Sequence, residues 1–277
     1  MRQISSEMMK SSLNMRFDCL TLFPEFFELA QIGLTGKAFT ELGHTLNVHS
    51  LREFSDKSHG HVDDAPFGGG PGMVLRPEVM MKALRSIPST ATSRVIHFSP
   101  KGSLLTHNKI QSLLSYDHLI LIASRYEGVD ERALELGVDE EISVGDFVVS
   151  GGELPALILI DAVARWLPGV LGNQLSAYQD SFVQGLLDHP HYTRPEVFEG
   201  CSVPEVLVSG DHEKIRRWRL EMAMRDTQLK RPDLWASYLR DRIHTQDLPT
   251  QWLAWGIEHP EAKATPMPKG WKGWPLI

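Results

Sequence analysis

Residues 118–128 read HLILIASRYEG. Five apolar residues in succession, Leu119 to Ala123, show neither alternation nor a helical stripe. A run that short, ended by a polar, glycine-closed segment, reads as a strand buried on both faces. The neighbouring stretches repeat the pattern. Downstream, 130–136 reads as a short helix and 140–144 as a strand. Upstream, 106–114 reads as a helix with Thr106 as its N-cap, and 94–99 (RVIHFS) as a strand. Further back, 45–51 and 16–21 (RFDCLT) are strand candidates, the latter followed by Pro24 at the start of a helical segment, EFFELA. Strands that alternate with helices predict a parallel α/β sheet covered on both faces. Residues 16 to about 167 therefore read as one α/β domain.

The periodicity fails between residues 167 and 195, where proline and glycine recur, so that stretch reads as a linker or a long functional loop. Helices without strands are expected after it, with Ile215, Trp218 and Met222 on one stripe of a helix over 211–231. At 277 residues the chain is long enough for one large or two smaller domains. Cys19 and Cys201 are too few for a disulfide framework or a tetrahedral zinc cage, so a reducing cytosol is the simplest setting. The most apolar stretch, 154–171, is interrupted by Pro155, Asp161, Arg165 and Pro168, which argues against a membrane span. Residues 1–14 read as a polar extension without a signal-like apolar region, with Met15 as a candidate start.

A net charge of −7 argues against indiscriminate coating of polyanions. The charge is uneven, however. From His212 to His244 nine Lys and Arg face five acids, a net +4 against −11 elsewhere. That stretch includes Arg216, Arg217 and Arg219 and carries Trp218 and Trp235. It reads either as a solvated basic face or as a surface for phosphates and bases.

Three polar or glycine-rich segments, 98–102 (FSPKG), 124–128 (SRYEG) and 143–153 (SVGDFVVSGGE), each follow a predicted strand. Alone, each is ordinary turn chemistry. Together they favour a ligand site at the carboxyl ends of the strands. The loop 66–72 (PFGGGPG) permits close approach to a ligand or is simply flexible, and it is neither a dinucleotide fingerprint nor a P-loop. Asp180, in the aperiodic stretch, and Arg165, spaced to pair with Asp161 one helical turn before it, are the sharpest polar candidates. Asp188, His189 and His191 suggest a metal cluster, which as a hydrolase site would lose activity to a chelator. Pro190 between them and the lack of a third clear ligand favour a plain loop cluster.

The motifs FPEFF, PFGGGPGMV, SPKG, SRYEGVDER, SVGDFVVSGGELPAL, DAVARWLPGVLG, GLLDHPHYTRPEVFEG, VPEVLVSGDHEKIRRWR and KRPDL occur in that order. In this they resemble the bacterial tRNA (guanine-N1)-methyltransferases over about residues 15–245. The resemblance implies an α/β SPOUT methyltransferase domain with a deep trefoil knot, which pattern reading alone does not supply, and a small C-terminal α-helical domain. The boundaries it implies are an extension over 1–14, the knotted domain over 15–170, a linker carrying the catalytic Asp over 171–194, and a tRNA-binding helical domain with its tail over 195–277.

The resemblance implies that S-adenosylmethionine is bound by Phe98, Ser99 and Pro100, by Ser124, Tyr126, Glu127 and Gly128, and by Val144, Gly145, Asp146, Phe147, Val148, Val149, Gly151, Gly152 and Pro155. It places guanosine against Gly68, Gly69, Gly70, Pro71 and Gly72, and tRNA on the helical domain with Arg216, Arg217 and Arg219. Asp180 is implied as general base and Arg165 as the group stabilising charge on guanine O6, at the guanosine 3′ of the anticodon, position 37. An antiparallel homodimer in the cytoplasm, with the site across its interface, is implied as well. So is Mg²⁺ near Glu127, for which the sequence shows no cage. The family commonly has Gly before RYEG. Ser124 stands there in this chain and either narrows the adenosine pocket or adds a hydrogen bond. The other reading, a non-catalytic RNA-binding protein of the same fold, predicts no binding of the methyl donor.

Overall fold

The computed structural model describes residues 14–173 and 175–243, which form two compact units on either side of residue 174. The extension up to residue 13, the end of the basic stretch at His244 and the tail over 251–277, in which Trp and Pro recur, lie outside the described residues.

The first unit runs β1 (Arg16–Thr21), a 3-10 helix (Pro24–Gln31), α1 (Gly33–Thr40), β2 (Thr45–Ser50) and the two-residue strands β3 (Asp63–Asp64) and β4 (Val74–Leu75). It continues through α2 (Pro77–Ser86), β5 (Ser93–Leu104), α3 (His107–Leu113), β6 (His118–Ile122), α4 (Glu131–Gly137), β7 (Glu140–Ser143) and α5 (Glu153–Ala164). The main sheet has the order β2-β1-β6-β5-β7, and every pairing in it is parallel.

The apolar runs explain the layers. Along β6, Leu119 and Leu121 point to one face of the sheet and Ile120 and Ile122 to the other, and all four are buried. In β1, Phe17 and Cys19 join the first face and Leu20 the second. The first face packs on Ile110 and Leu113 of α3 and on Ala156, Leu159, Ile160 and Val163 of α5. The second packs on Val79, Met80 and Ala83 of α2 and Ala133 of α4. Strands with apolar side chains on both sides need cover on both sides, and the alternating helices supply it. Thr106 caps α3 as its spacing suggests, accepting a hydrogen bond from the Lys109 amide.

One strand differs from its sequence reading. β5 extends to Leu104 rather than ending near Ser99. Its register against β7 shifts because Phe98 and Ser103 both align with Ile142, so the residues between them bulge away from the ladder. The bulge holds the SPKG segment, which explains why its polar and glycine content looked like a strand end.

The second unit contains α6 (Leu175–Gln179), the short antiparallel pair β8 (Val197–Phe198) and β9 (Cys201–Ser202), α7 (Glu205–Val208), α8 (His212–Lys230) and α9 (Pro232–Ile243). The β8–β9 hairpin corrects the expectation of helices alone. The aperiodic residues from 175 onward fall in this second unit. Ala177 and Leu186 are buried, and the Leu187 amide donates to Thr227 Oγ1 on α8 at 2.8 Å. Asp211 caps α8 by accepting from the amides of Glu213 and Lys214. The buried residues of α8 are Ala223, Met224 and Thr227, whereas Ile215, Trp218 and Met222 are only half-buried. No helix among the described residues is long and apolar enough to cross a membrane.

Candidate functional site

A cleft of about 370 Å³ opens in the first unit where the bulge of β5 meets the segments that follow β6 and β7. Parallel strands all end on the same side, so three consecutive loops meet there although 97, 124 and 145 are far apart in sequence. The lining includes Phe98, Ser99 and Pro100; Ser124, Tyr126, Glu127 and Gly128; and Val144, Gly145, Phe147, Val148, Val149, Gly151, Gly152 and Pro155. Of the residues grouped for the methyl donor in the sequence, only Asp146 is outside the lining. The Phe147 amide donates to the Gly145 carbonyl at 2.9 Å, a tight turn that leaves Asp146 exposed at its apex.

The loops are braced by residues that the sequence reading did not single out. Arg125 donates from Nε to Glu153 Oε2 at 2.9 Å and from Nη1 to the Ser150 carbonyl at 3.2 Å. Its guanidinium also lies over the rings of Phe23 (4.6 Å) and Phe26 (5.4 Å), so FPEFF serves as a platform for it. Glu153 is completely buried at the start of α5 and accepts a second hydrogen bond from Thr21 Oγ1 at 2.9 Å. Gly152 precedes it, and a Cβ there would lie 2.7 Å from Ala123 Cα, so the backbones of the 124 and 150 loops approach as only glycine permits.

Ser124 takes part in a hydrogen-bonded chain within the protein. Its hydroxyl is 2.8 Å from Nε2 of His97, whose Nδ1 is 2.9 Å from Glu141 Oε1. A carboxylate only accepts, so Nδ1 carries the proton and Nε2 accepts from the serine hydroxyl. Burial pushes the His97 pKa down, against an upward pull from Glu141, and the ring is held neutral. All three residues line the cleft. The signal was present in RVIHFS: a histidine among apolar strand residues needs polar partners when buried.

The PFGGGPG loop lies beside the cleft, its last glycine against the Glu127 side chain. Gly68, Gly69, Gly70 and Gly72 all have positive φ, and a Cβ on Gly72 would collide with the Glu127 side chain. Pro71 lies between the last two of these and, like the glycines, is exposed. Next to the loop, the Glu127 amide donates to the Met73 carbonyl and Leu75 bridges to Val129. Arg165 is half-buried at the C-terminal cap of α5, and Asp161, four residues earlier, takes the hydroxyl of Thr35. Asp180 is exposed and belongs to the second unit. On α8, Arg216 and Arg219 are exposed, and Arg217 makes a 3.0 Å ion pair with Glu221.

A fully parallel sheet whose glycine-rich loops enclose a cleft at the strands' carboxyl ends defines an α/β enzyme domain built to bind a small organic ligand. Residues 15–237 match the family model described as tRNA (guanine-1)-methyltransferase TrmD, and the chain belongs to that family. It is 54% identical over 239 residues to the tRNA (guanine-N(1)-)-methyltransferase of Dechloromonas aromatica (strain RCB), covering 83% of this chain and 94% of the relative. The protein of that name from Methylococcus capsulatus is 52% identical over 225 residues, covering 80% and 90%. That from Neisseria meningitidis serogroup C is 50% identical over 223 residues, covering 79% and 90%.

Proposed function

We propose that this chain methylates N1 of the guanosine at tRNA position 37, using S-adenosylmethionine. The observation that carries the reading is the cleft: fifteen residues that the family resemblance assigns to the methyl donor lie around it. Its volume suits a nucleoside-sized ligand. Its glycine-rich walls offer backbone groups, and Glu127 and Glu131 place carboxylates where a cationic ligand gains from them. S-adenosylmethionine supplies a methyl group on a sulfonium. The loops hold and orient that group, so positioning accounts for much of the rate.

Guanine N1 is a poor nucleophile while protonated. Asp180 takes that proton, and Arg165 stabilises the negative charge that develops on O6. Gly68, Gly69, Gly70, Pro71 and Gly72 border the guanosine, and Arg216, Arg217 and Arg219 of α8 contact tRNA phosphates. The sheet order and the three loops fit a SPOUT domain with its trefoil knot. Exposed Leu154 and Ile158 on α5, with Phe147 and Val148 in the adjacent loop, fit the face of an antiparallel homodimer. A cytoplasmic setting follows from a tRNA substrate. Mg²⁺ is not well served: Glu127 belongs to no cluster of three ligand groups among the described residues, so no step is assigned to an ion.

The test is mass spectrometry of tRNA incubated with protein and methyl donor. The expected product is 1-methylguanosine at position 37, and its absence overturns the proposal. Light scattering should show a dimer, and a monomer would remove the shared-site arrangement.

A further inference from the structure

The second unit holds a cluster that the methyl-transfer reading does not use. Ligand atoms of Asp188, His189 and His191 all lie within 4.8 Å of one another. We propose that these three side chains form a binding site for a borderline divalent transition cation such as Zn²⁺.

The donor chemistry favours this class of ion. Two imidazoles and one carboxylate suit zinc, cobalt or nickel, whereas Mg²⁺ and Ca²⁺ prefer all-oxygen shells. The tautomer of His189 is fixed for ligation. Its Nδ1 is 3.0 Å from the Pro190 carbonyl, which can only accept, so the proton is on Nδ1 and the Nε2 lone pair is available. That Nε2 faces Asp188 Oδ1 at 3.7 Å, a separation that a shared cation spans. A backbone carbonyl orienting a ligating histidine is the usual outer-shell arrangement of metal sites.

The other two ligands are placed from the same turn. His191 Nε2 is 2.8 Å from Asp188 Oδ2. A cation takes the place of the proton between them, which moves to Nδ1 of the exposed His191 ring. Asp188 is itself anchored, because its amide donates to Ser181 Oγ at 2.8 Å. The two imidazole rings are 4.5 Å apart, and His189 lies 6.3 Å from the Trp218 ring on α8. Pro190 between the histidines removes backbone freedom that ligation would otherwise have to freeze. The His189 side chain is 16% exposed and that of His191 72%. One wall is therefore fixed by protein, and the remaining coordination positions are open to water.

The test uses the full, untagged chain after chelator treatment, titrated with Co²⁺ and followed by visible ligand-field absorption. One equivalent should bind, Zn²⁺ should displace it, and excess Mg²⁺ should not. His189→Ala and His191→Ala should each weaken binding by about tenfold or more. Because His191 is exposed, His191→Ala should keep the wild-type circular dichroism spectrum, which separates ligand loss from misfolding. Absence of a cobalt band in the wild type, wild-type binding by His191→Ala, or displacement by Mg²⁺ would each overturn the proposal.

Discussion

The His97 imidazole and the Ser124 hydroxyl meet at 2.8 Å, tying the strand that enters the β5 bulge to the loop that leaves β6. With Glu141 at the other ring nitrogen, His97 has both nitrogens satisfied while buried. Ser124→Ala leaves Nε2 unpaired in that setting, at a cost of about 1–2 kcal/mol. Chemical denaturation should show that loss, and calorimetry with S-adenosylmethionine should show weaker binding by the variant. Unchanged stability and affinity would mean that the bond does not order the cleft.

The depressed pKa of His97 makes a separate prediction, with a definite sign. The unfolded chain binds the proton more readily than the folded one. The contribution to stability is therefore complete above the ordinary histidine pKa of about 6.5 and falls as pH drops below it. Titration followed by NMR should find His97 neutral at a pH where exposed histidines are already charged. A midpoint at or above the ordinary value would contradict the burial argument.

Gly152→Ala tests the close approach between loops. The added Cβ would sit 2.7 Å from Ala123 Cα, which is backbone and cannot rotate away. The 124 and 150 loops must then separate, at a cost of about 1–3 kcal/mol. Affinity for the methyl donor should fall about tenfold or more, and wild-type affinity in calorimetry would show that the cleft tolerates the wider spacing.

The parallel sheet was legible because Leu119 to Ala123 has no polar residue to place in water, so only a two-sided layer can bury it. The three cleft segments were legible for a related reason: polar and glycine residues directly after such runs break the apolar pattern. What escaped the sequence depends on pairing across distance. Nothing local in RVIHFSPKG says that Ser103 will realign with Ile142 and prolong the strand. Arg125 looks like a surface charge until Phe23, Phe26 and Glu153 are brought around it. Asp146 shared its motif with true lining residues, and only the turn from Gly145 to Phe147 sets it outside.

The proposed roles of Asp180 and Arg165 predict different outcomes for binding and turnover. Asp180→Asn keeps the shape but lacks the basicity to take the N1 proton, so turnover should fall by about 10²–10⁴-fold with donor affinity unchanged. Arg165→Ala should lose turnover for a different reason, the uncompensated charge on O6. Single-turnover methylation with calorimetry on the same samples separates the two quantities. Full activity in Asp180→Asn would assign the proton to another base.

Asp18 provides a test of stability that is separate from the cleft's chemistry. The residue is fully buried in β1 and accepts hydrogen bonds from Arg16, Asn47, His49 and His118. Burial works to raise its pKa, but the bonds from His118, Arg16 and His49 outweigh it and hold the carboxyl well below the usual range. A depressed carboxylate pKa contributes stability that is present above the unfolded value of about 4 and is lost as pH falls toward the folded value. Asp18→Asn removes the charge that its cationic and polar neighbours require, so it should cost about 3–5 kcal/mol at pH 7. Urea midpoints for wild type and variant should converge as the solution is acidified below about pH 4, because wild-type Asp18 then loses its own advantage. Equal gaps at neutral and acid pH would show that Asp18 is not held ionised by its neighbours.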